Sequence, residues 1–469
     1  MRTRTRGVAE GREARACEER SALFSPCCVW YRHFFRTGFI YDSYRRKLMI
    51  YAIILFVLTY ALMLIFPKRR PWIALVSAAV FVISGMLPLK SVLAYVDFNV
   101  LLMIAGTMGT VALMIESKMP QLIADILVEK VPNVKLAIIV LALFSGLISA
   151  FIDNVATVLM LAPIALAIAK KQNLNPIGMV IAIAVSSNLQ GAATLVGDTT
   201  SILLGGYAGM NFLDFFVFKG RPSIFFAVEL GALCSASLLF IIFRKETAKV
   251  TPGKRTVVTD YVPSFLMLGT VASLIIASFI PNTPDLINGI LCVSFMVVGV
   301  IYHICRKKKL SAGWDIIKEI DIQTVLLLFS LFIIVGGIKE MGVIDALANI
   351  FTKLGNGNVF VIYTVIVWLS VVFSAFIDNI PYVATMLPVV TSIAAGLEID
   401  PTLLYFGLLS GATLGGNLTP VGASANITGI GILRKEGLEV KNSDFMRIGI
   451  PFTLAAIIPA YIFLLVVYG

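Results

Sequence analysis

Two short stretches hold the residues with chemistry to offer: Ser149-Ala150-Phe151-Ile152-Asp153-Asn154 and, letter for letter, Ser374-Ala375-Phe376-Ile377-Asp378-Asn379. Each sets a carboxylate beside a carboxamide inside a long apolar run. A carboxylate is expensive in a membrane interior and marks an ion or substrate path by default. Asp supplies charge and lone pairs, and Asn adds an acceptor and a donor. Oxygen donors at a break in a helix suit a hard cation such as Na+, or a proton relay. The plainer reading is a helix cap, with the side chain taking the free N–H groups of the next turn. The two readings are compatible.

The copies lie 225 positions apart, 374 minus 149. The same offset takes Val158 to Val383, Pro163 to Pro388, Gly191 to Gly416, Thr194 to Thr419, Val196 to Val421 and Gly197 to Gly422, without a gap. This is an internal duplication. It brings in a second constellation, Gly191 to Ser201 and its partner Gly416 to Asn426. Glycine and small hydroxyl residues in mid-membrane let a helix unwind. A half-helix N-terminus then favours an anion, and freed carbonyls favour a cation. Close packing through small residues is common in membranes, but it needs neither Asp198, Pro420 nor Asn426. Glu229, within the fifth span, reads as a snorkelling or loop-facing residue before a proton carrier.

The elements that must position these residues are membrane helices. The chain is 58% hydrophobic and 14% charged with a mean hydropathy of +0.92, whereas soluble domains carry about 25% charged residues. Apolar runs of about 20 residues, enough to cross a bilayer, recur along it. Six Cys without framework spacing and two His offer no transition-metal site and no Ser–His or Cys–His catalysis, so an enzyme is not expected. The net charge of +11 reports topology rather than nucleic-acid binding.

Spans are expected near Ile50–Phe66, Trp72–Leu87 and Phe98–Ile115, followed by an amphipathic segment, Met119–Val131. The run Val134–Lys170 is broken at Ser149–Asn154 and reads as a re-entrant hairpin with its tip at Asp153-Asn154. A span over Ile177–Met210, interrupted at Asn188-Leu189-Gln190-Gly191, and one over Pro222–Phe243 close the first half. The second half repeats the order: Val262–Ile280, Ile287–Ile304, Ile322–Ile338, amphipathic Val343–Leu354, a hairpin Val359–Leu397, a broken span Leu403–Leu433 and a last span Ile448–Tyr468. The expected organisation is a tail, 1–48; a first repeat, 49–243; a cytoplasmic linker, 244–261; and a second repeat, 262–469. Asp97 and Asp321 open corresponding spans, and Glu116 and Glu340 end them. Five spans plus a hairpin per repeat is an odd number, so the repeats must be inverted, with broken helices at the midplane. That is the architecture of secondary transporters.

Placing the linker inside makes Lys68-Arg69-Arg70, Lys170-Lys171, Arg306-Lys307-Lys308-Lys309 and Arg434-Lys435 cytoplasmic as well, in accord with the excess of Lys and Arg in cytoplasmic loops. The first hairpin then enters from the cytoplasm and the second from outside, and both termini lie outside. Residues 1–48 hold ten Arg and one Lys against four Glu and one Asp, an excess of six positive charges. They carry no secretory signal pattern. An external N-terminus suits them badly, which favours a true start at Met49 over a basic tail or targeting arm.

At the paired motifs the sequence resembles the ion transporter superfamily, in the permease branch of arsenite pumps, sodium–proton antiporters, P proteins and citrate-transporter-like proteins. The likeness covers roughly residues 50–469. It implies an elevator-type transporter, often a homodimer, in which hairpins and broken helices move against a scaffold. Carried over by position, Asp153, Asn154 and Gly197 match one sodium site, and Asp378, Asn379 and Gly422 its inverted counterpart. Thr194 and Thr419 would face substrate. The full expectation is Ser149, Asp153, Asn154, Gly197, Asp198, Ser374, Asp378, Asn379 and Gly422 for Na+ or H+, and Asn154, Thr194, Asn379, Thr419 and Asn426 for substrate. One departure matters: dicarboxylate symporters of the superfamily carry Ser-Asn-Thr at the tips, where this chain has Asp-Asn-Val and Asp-Asn-Ile. Two added carboxylates disfavour a multiply charged anion unless they are protonated or matched by cations.

The reading is a multi-pass protein of the plasma or inner membrane, in contact with the lipid bilayer and a small ionic substrate. It moves a small anion or oxyacid with Na+ or H+ as coupling ion and no other cofactor, with sodium–proton antiport as the runner-up. A channel is a remote alternative. An intramembrane aspartyl protease using Asp153 and Asp378 is another, but Leu195-Val196-Gly197-Asp198 lacks the first glycine of the Gly-x-Gly-Asp signature.

Overall fold

The computed structural model describes residues 47–250 and 255–469. All but the last two residues of the basic stretch 1–48 lie outside these, as does the Pro252-Gly253 turn of the linker.

Twenty α-helices carry the fold among the described residues. The first half runs α1 (Lys47–Ile65), α2 (Arg70–Ile83), the one-turn α3 (Val92–Tyr95), α4 (Phe98–Ser117), α5 (Met119–Glu129), α6 (Val134–Ser149), α7 (Asn154–Gln172), α8 (Ile177–Gly191), α9 (Thr199–Ala208) and α10 (Ile224–Ile242). The second runs α11 (Val262–Ser278), α12 (Ile287–Lys307), α13 (Leu310–Lys318), α14 (Ile322–Glu340), α15 (Val343–Leu354), α16 (Val359–Ser374), α17 (Asn379–Leu397), α18 (Thr402–Gly415), α19 (Ser424–Lys435) and α20 (Asn442–Tyr468). Eight of them are long and apolar enough to cross a membrane, or nine spans if the pair α15 and α16, bent by 117°, counts as one. The apolar helices α6, α8 and α11 are shorter.

Equivalent sequence signals start equivalent helices. Asn133 caps α6 by accepting from the Leu136 N–H at 3.0 Å, and Asn358, 225 positions on, caps α16 by accepting from Phe360 at 2.9 Å. Asp97 accepts from Val100 at 3.0 Å at the start of α4, and Asp321 from Thr324 at 3.1 Å at the start of α14. Such caps satisfy N–H groups that have no partner within the helix.

Packing between the halves is reciprocal. Helix α4 lies on α12 and α2 on α14; α7 lies on α19 and α17 on α9; α10 lies on α20. Burial sorts the helices into rim and interior. Only 17% of the apolar window of α1 and 22% of that of α12 are buried, against 67% for α4 and 61% for α17. The exposed apolar faces of α1 and α12 are what a lipid-facing rim requires.

Two features depart from expectation. Helix α8 continues through Asn188–Gly191, and the break falls afterwards, at 192–198. The polar side chains there bond to other helices instead of competing with their own backbone: Asn188 Nδ2 donates to the Thr413 carbonyl at 2.7 Å and Gln190 Nε2 to the Glu229 carboxylate at 2.9 Å. Helix α13 was not expected, since its nine residues are too few for a periodic signal.

Candidate functional site

The tips Asp153-Asn154 and Asp378-Asn379 begin α7 and α17, and each Asp is the cap of its helix. Asp153 Oδ2 accepts from the N–H groups of Val155 at 2.9 Å and Ala156 at 3.2 Å, and Asp378 Oδ1 from Ile380 at 3.2 Å. The capping reading therefore holds. The carboxylates also reach further. Both tips line one cavity of about 210 Å³, together with Asn188 of α8, Asp198 and Thr199 at the first break, Ser424 at the second, and Glu319, Asp321 and Thr324 at the start of α14. Glu319 and Asp321 are exposed. Five carboxylates and no basic side chain line it.

Behind the tips the polar groups form a connected network. Ser149 Oγ donates to Asn154 Oδ1 at 2.9 Å, and Ser187 Oγ to Ser149 Oγ at 3.0 Å. Asn154 Nδ2 donates to Asn188 Oδ1 at 3.2 Å, and Asn188 Nδ2 to Asn417 Oδ1 at 3.1 Å, while Asn417 Nδ2 reaches the Val185 carbonyl at 2.8 Å. This chain of amides joins α7, α8 and the second break through the centre of the molecule. Ser374, the counterpart of Ser149, donates to the Ala412 carbonyl.

The glycines of the two breaks sit where backbone oxygens converge. The point at which a Cβ of residue 197 would stand is 2.6 Å from the Gly191 carbonyl oxygen and 2.8 Å from those of Ala150 and Ser149. At residue 422 the same construction gives 2.6 Å to Gly416, 2.8 Å to Ser374 and 2.9 Å to Ala375. Two helix C-termini thus aim carbonyls at each break. Thr194 Oγ1 donates to the Ala150 carbonyl and Thr419 Oγ1 to that of Ala375, which latches each break to its neighbouring tip. Ser201 Oγ donates to the Gly191 carbonyl at 3.3 Å, and Asn426 Nδ2, at the matching position, to that of Gly416 at 3.0 Å. Asn426 Oδ1 is buried without a hydrogen-bond partner. Carbonyl, amide and carboxylate oxygens are the donor set a hard cation takes.

The sequence-derived residues thus separate into two groups. Asp153, Asn154, Asp198, Asp378 and Asn379 line the cavity. Ser149, Ser374, Gly422, Thr194, Thr419 and Asn426 stand behind it and are buried, while Gly197 borders a smaller cavity shared with Asp153 and Asp198. Thr194, Thr419 and Asn426, expected to face substrate, bond to backbone carbonyls instead. The sequence reading does not single out Glu319 or Thr324; it holds Thr199 and Ser424 only as members of the Gly-rich stretches and Asn188 only as an interruption of a span. The 225 offset pairs Thr199 with Ser424, and Asp321 had stood out only as the start of a span. Glu229 lies outside the cavity, with both carboxylate oxygens on the Gln190 amide at 3.0 and 2.9 Å.

The profile of the citrate transporter family matches residues 60–411. The chain belongs to that family. An uncharacterized transporter of Mycobacterium tuberculosis (strain CDC 1551 / Oshkosh) is 30% identical over 424 residues, covering 88% of this chain and 98% of that protein. The P protein of Homo sapiens is 25% identical over 478 residues, covering 83% of this chain and 56% of that longer protein. Among solved structures, the YdaH transporter of Alcanivorax borkumensis superimposes with a TM-score of 0.56 at 14% identity, over 80% of this chain and 87% of that one, and so shares its fold. The protein is a multi-pass membrane transporter and not an enzyme.

Proposed function

We propose that the chain is a secondary active transporter in which two inverted repeats bring a pair of re-entrant tips to one midplane cavity. The cargo is a small solute of low or compensated charge: a neutral oxyacid, or a small inorganic or organic anion accompanied by cations. Na+ or H+ is the coupling ion, held by the tip carboxylates and the carbonyls around Gly197 and Gly422. One observation carries the reading: Asp153, Asn154, Asp198, Asp378 and Asn379, from opposite halves of the chain, line one acidic cavity. The five spans expected from hydropathy in each repeat, an odd number, and the reciprocal packing of the halves support the inversion. Basic loops such as Arg306–Lys309, read as cytoplasmic, favour a cavity whose exposed Glu319 and Asp321 face the cytoplasm. The elevator motion and the homodimer are expectations that rest on the superfamily resemblance.

The family name suggests citrate. A bare tricarboxylate facing five carboxylates would be repelled, so citrate fits only with its charge balanced by bound cations or protons. The same lining favours a second reading, cation–proton antiport. Reconstituted proteoliposomes separate the two. Citrate or arsenite flux that needs an imposed Na+ or pH gradient supports the first. Proton movement driven by a Na+ gradient without added solute supports the second. Flux indifferent to both gradients refutes either.

A further inference from the structure

The two tips are copies in sequence but not in electrostatic surroundings. Asp378 Oδ2 is 2.9 Å from Arg70 Nη1, with only 17% of the arginine side chain and 12% of the aspartate side chain exposed. Arg70 opens α2, and its Nε also donates to the Met63 carbonyl at 3.3 Å, which fixes the guanidinium. Tyr60 of α1 donates to the Pro381 carbonyl at 2.7 Å and meets Thr385, so the second tip is held to α1 and α2 on this side. The free space between Arg70, Tyr60, Ile377, Asp378 and Pro381 is about 10 Å³. That is at the lower limit for one water molecule and too small for a hydrated ion.

The first tip has no such partner. Among the described residues no Lys, Arg or His pairs with Asp153 or Asp198. The start of α12, the counterpart of α2 in the second half, reads Ile287-Asn288-Gly289 and supplies no cation. Asp153 shares the cavity with Asp198, Asp321, Glu319 and Asp378, all acidic. A guanidinium on one tip and only carboxylates around the other is a built asymmetry. It is unlike a topology signal, which needs an exposed loop charge and not a largely buried ion pair.

We propose that Arg70 is a tethered counter-cation for Asp378. It occupies the place a mobile cation or proton would take at the second tip and leaves Asp153 as the tip carboxylate that exchanges ions. Arg70 acts on ion binding through Asp378, so it is a specificity-determining residue. Because α2 packs on α14 while Asp378 belongs to the hairpin, any movement of the second tip away from α2 must break this pair. The inference rests on the reading of the tips as ion sites, and it predicts how many ions each state takes.

The test is thermal melting of the detergent-solubilised full chain against Na+ concentration and, separately, against pH, for the wild type, Arg70→Gln, Arg70→Lys, Asp378→Asn, Asp153→Asn and the double variant Arg70→Gln/Asp378→Asn. Each ion bound only by the folded state adds a fixed increment of stabilisation per tenfold rise in its concentration. The wild type should show one such increment, lost in Asp153→Asn and retained in Asp378→Asn. Arg70→Gln should gain a second, roughly doubling the slope against Na+ or against pH, and the double variant should lose that gain. Arg70→Lys should restore the wild-type slope. Superimposed slopes for Arg70→Gln and wild type would overturn the proposal. So would loss of the wild-type response in Asp378→Asn, which stands as the test if Arg70→Gln does not fold. A wild type without any response, in which Arg70→Gln still gains one through Asp378, would uphold the counter-cation and refute Asp153 as the exchanging site.

Discussion

Replacing Gly197 by Ala tests the carbonyl cluster directly. An added Cβ would stand 2.6 Å from the Gly191 oxygen and 2.8 Å from those of Ala150 and Ser149. All three are backbone atoms at helix ends, so none can turn aside as the end of a flexible side chain can. Overpacking in a well-packed interior costs about 1–3 kcal/mol. Three simultaneous backbone contacts put Gly197→Ala at the upper end, about 3 kcal/mol. Gly422→Ala, with oxygens at 2.6, 2.8 and 2.9 Å, should match it. The internal control is Gly431→Ala in α19, where a Cβ meets nothing within 4 Å. There alanine should stabilise by about 0.4–1 kcal/mol, because it restricts the unfolded chain and favours helix. The assay is melting of the solubilised chain with and without Na+. Gly197→Ala and Gly422→Ala should melt well below Gly431→Ala. If the oxygens around Gly197 hold the coupling ion, the Na+ midpoint of Gly197→Ala should also rise at least tenfold, a loss of about 1.4 kcal/mol in binding, while that of Gly422→Ala, beside the Arg70-paired tip, should not move. Alanine variants at 197 and 422 as stable as the wild type, with Gly197→Ala as Na+-responsive, would refute the crowding and the cation role together. Destabilisation with an unchanged Na+ midpoint would leave the crowding and remove the role.

Asp198→Asn removes a cavity carboxylate that accepts from Thr200 Oγ1 at 2.8 Å while keeping its shape, so it should lower gradient-driven flux in proteoliposomes at least tenfold with little loss of melting temperature. Asn188→Ala deletes three interhelical hydrogen bonds, to Asn154, Thr413 and Asn417. At about 0.6–1 kcal/mol each in a membrane protein, it should destabilise by about 2–3 kcal/mol in the same melting assay. On the surface, Arg255 of the linker grips Glu129 through two nitrogens, at 2.9 and 2.6 Å, and holds its carboxyl below the usual range. A depressed carboxyl contributes stability above its unfolded value, near 4.5, that is lost as pH falls through the folded one. Limited proteolysis of the linker should therefore speed up below about pH 4.5, and Glu129→Gln should show the fast rate already at pH 7. An unchanged cleavage rate would remove this tether.

The sequence by itself determined the class of the protein and most of its elements. Hydropathy marks the spanning helices because a bilayer tolerates little else, and a gapless 225-residue offset exposes the duplication without any structure. Asp153 and Asp378 were legible both as caps and as cavity residues, since a carboxylate inside an apolar run has few other uses. The ends of the broken helices were less legible. Asn188 and Gln190 look like helix breakers in one dimension, yet their hydrogen bonds go to other helices, so α8 runs on through them. Tertiary structure alone decided which residues share the cavity. Asp321 and Glu319 stand more than 160 positions from Asp153, and no local pattern says that the start of α14 meets the tip of α7. It likewise decided that Thr194, Thr419 and Asn426 turn to backbone carbonyls, and that Arg70, the last of three consecutive basic residues and the first of α2, reaches Asp378. Those outcomes depend on how helices pack across the two halves, a long-range property that local pattern does not encode.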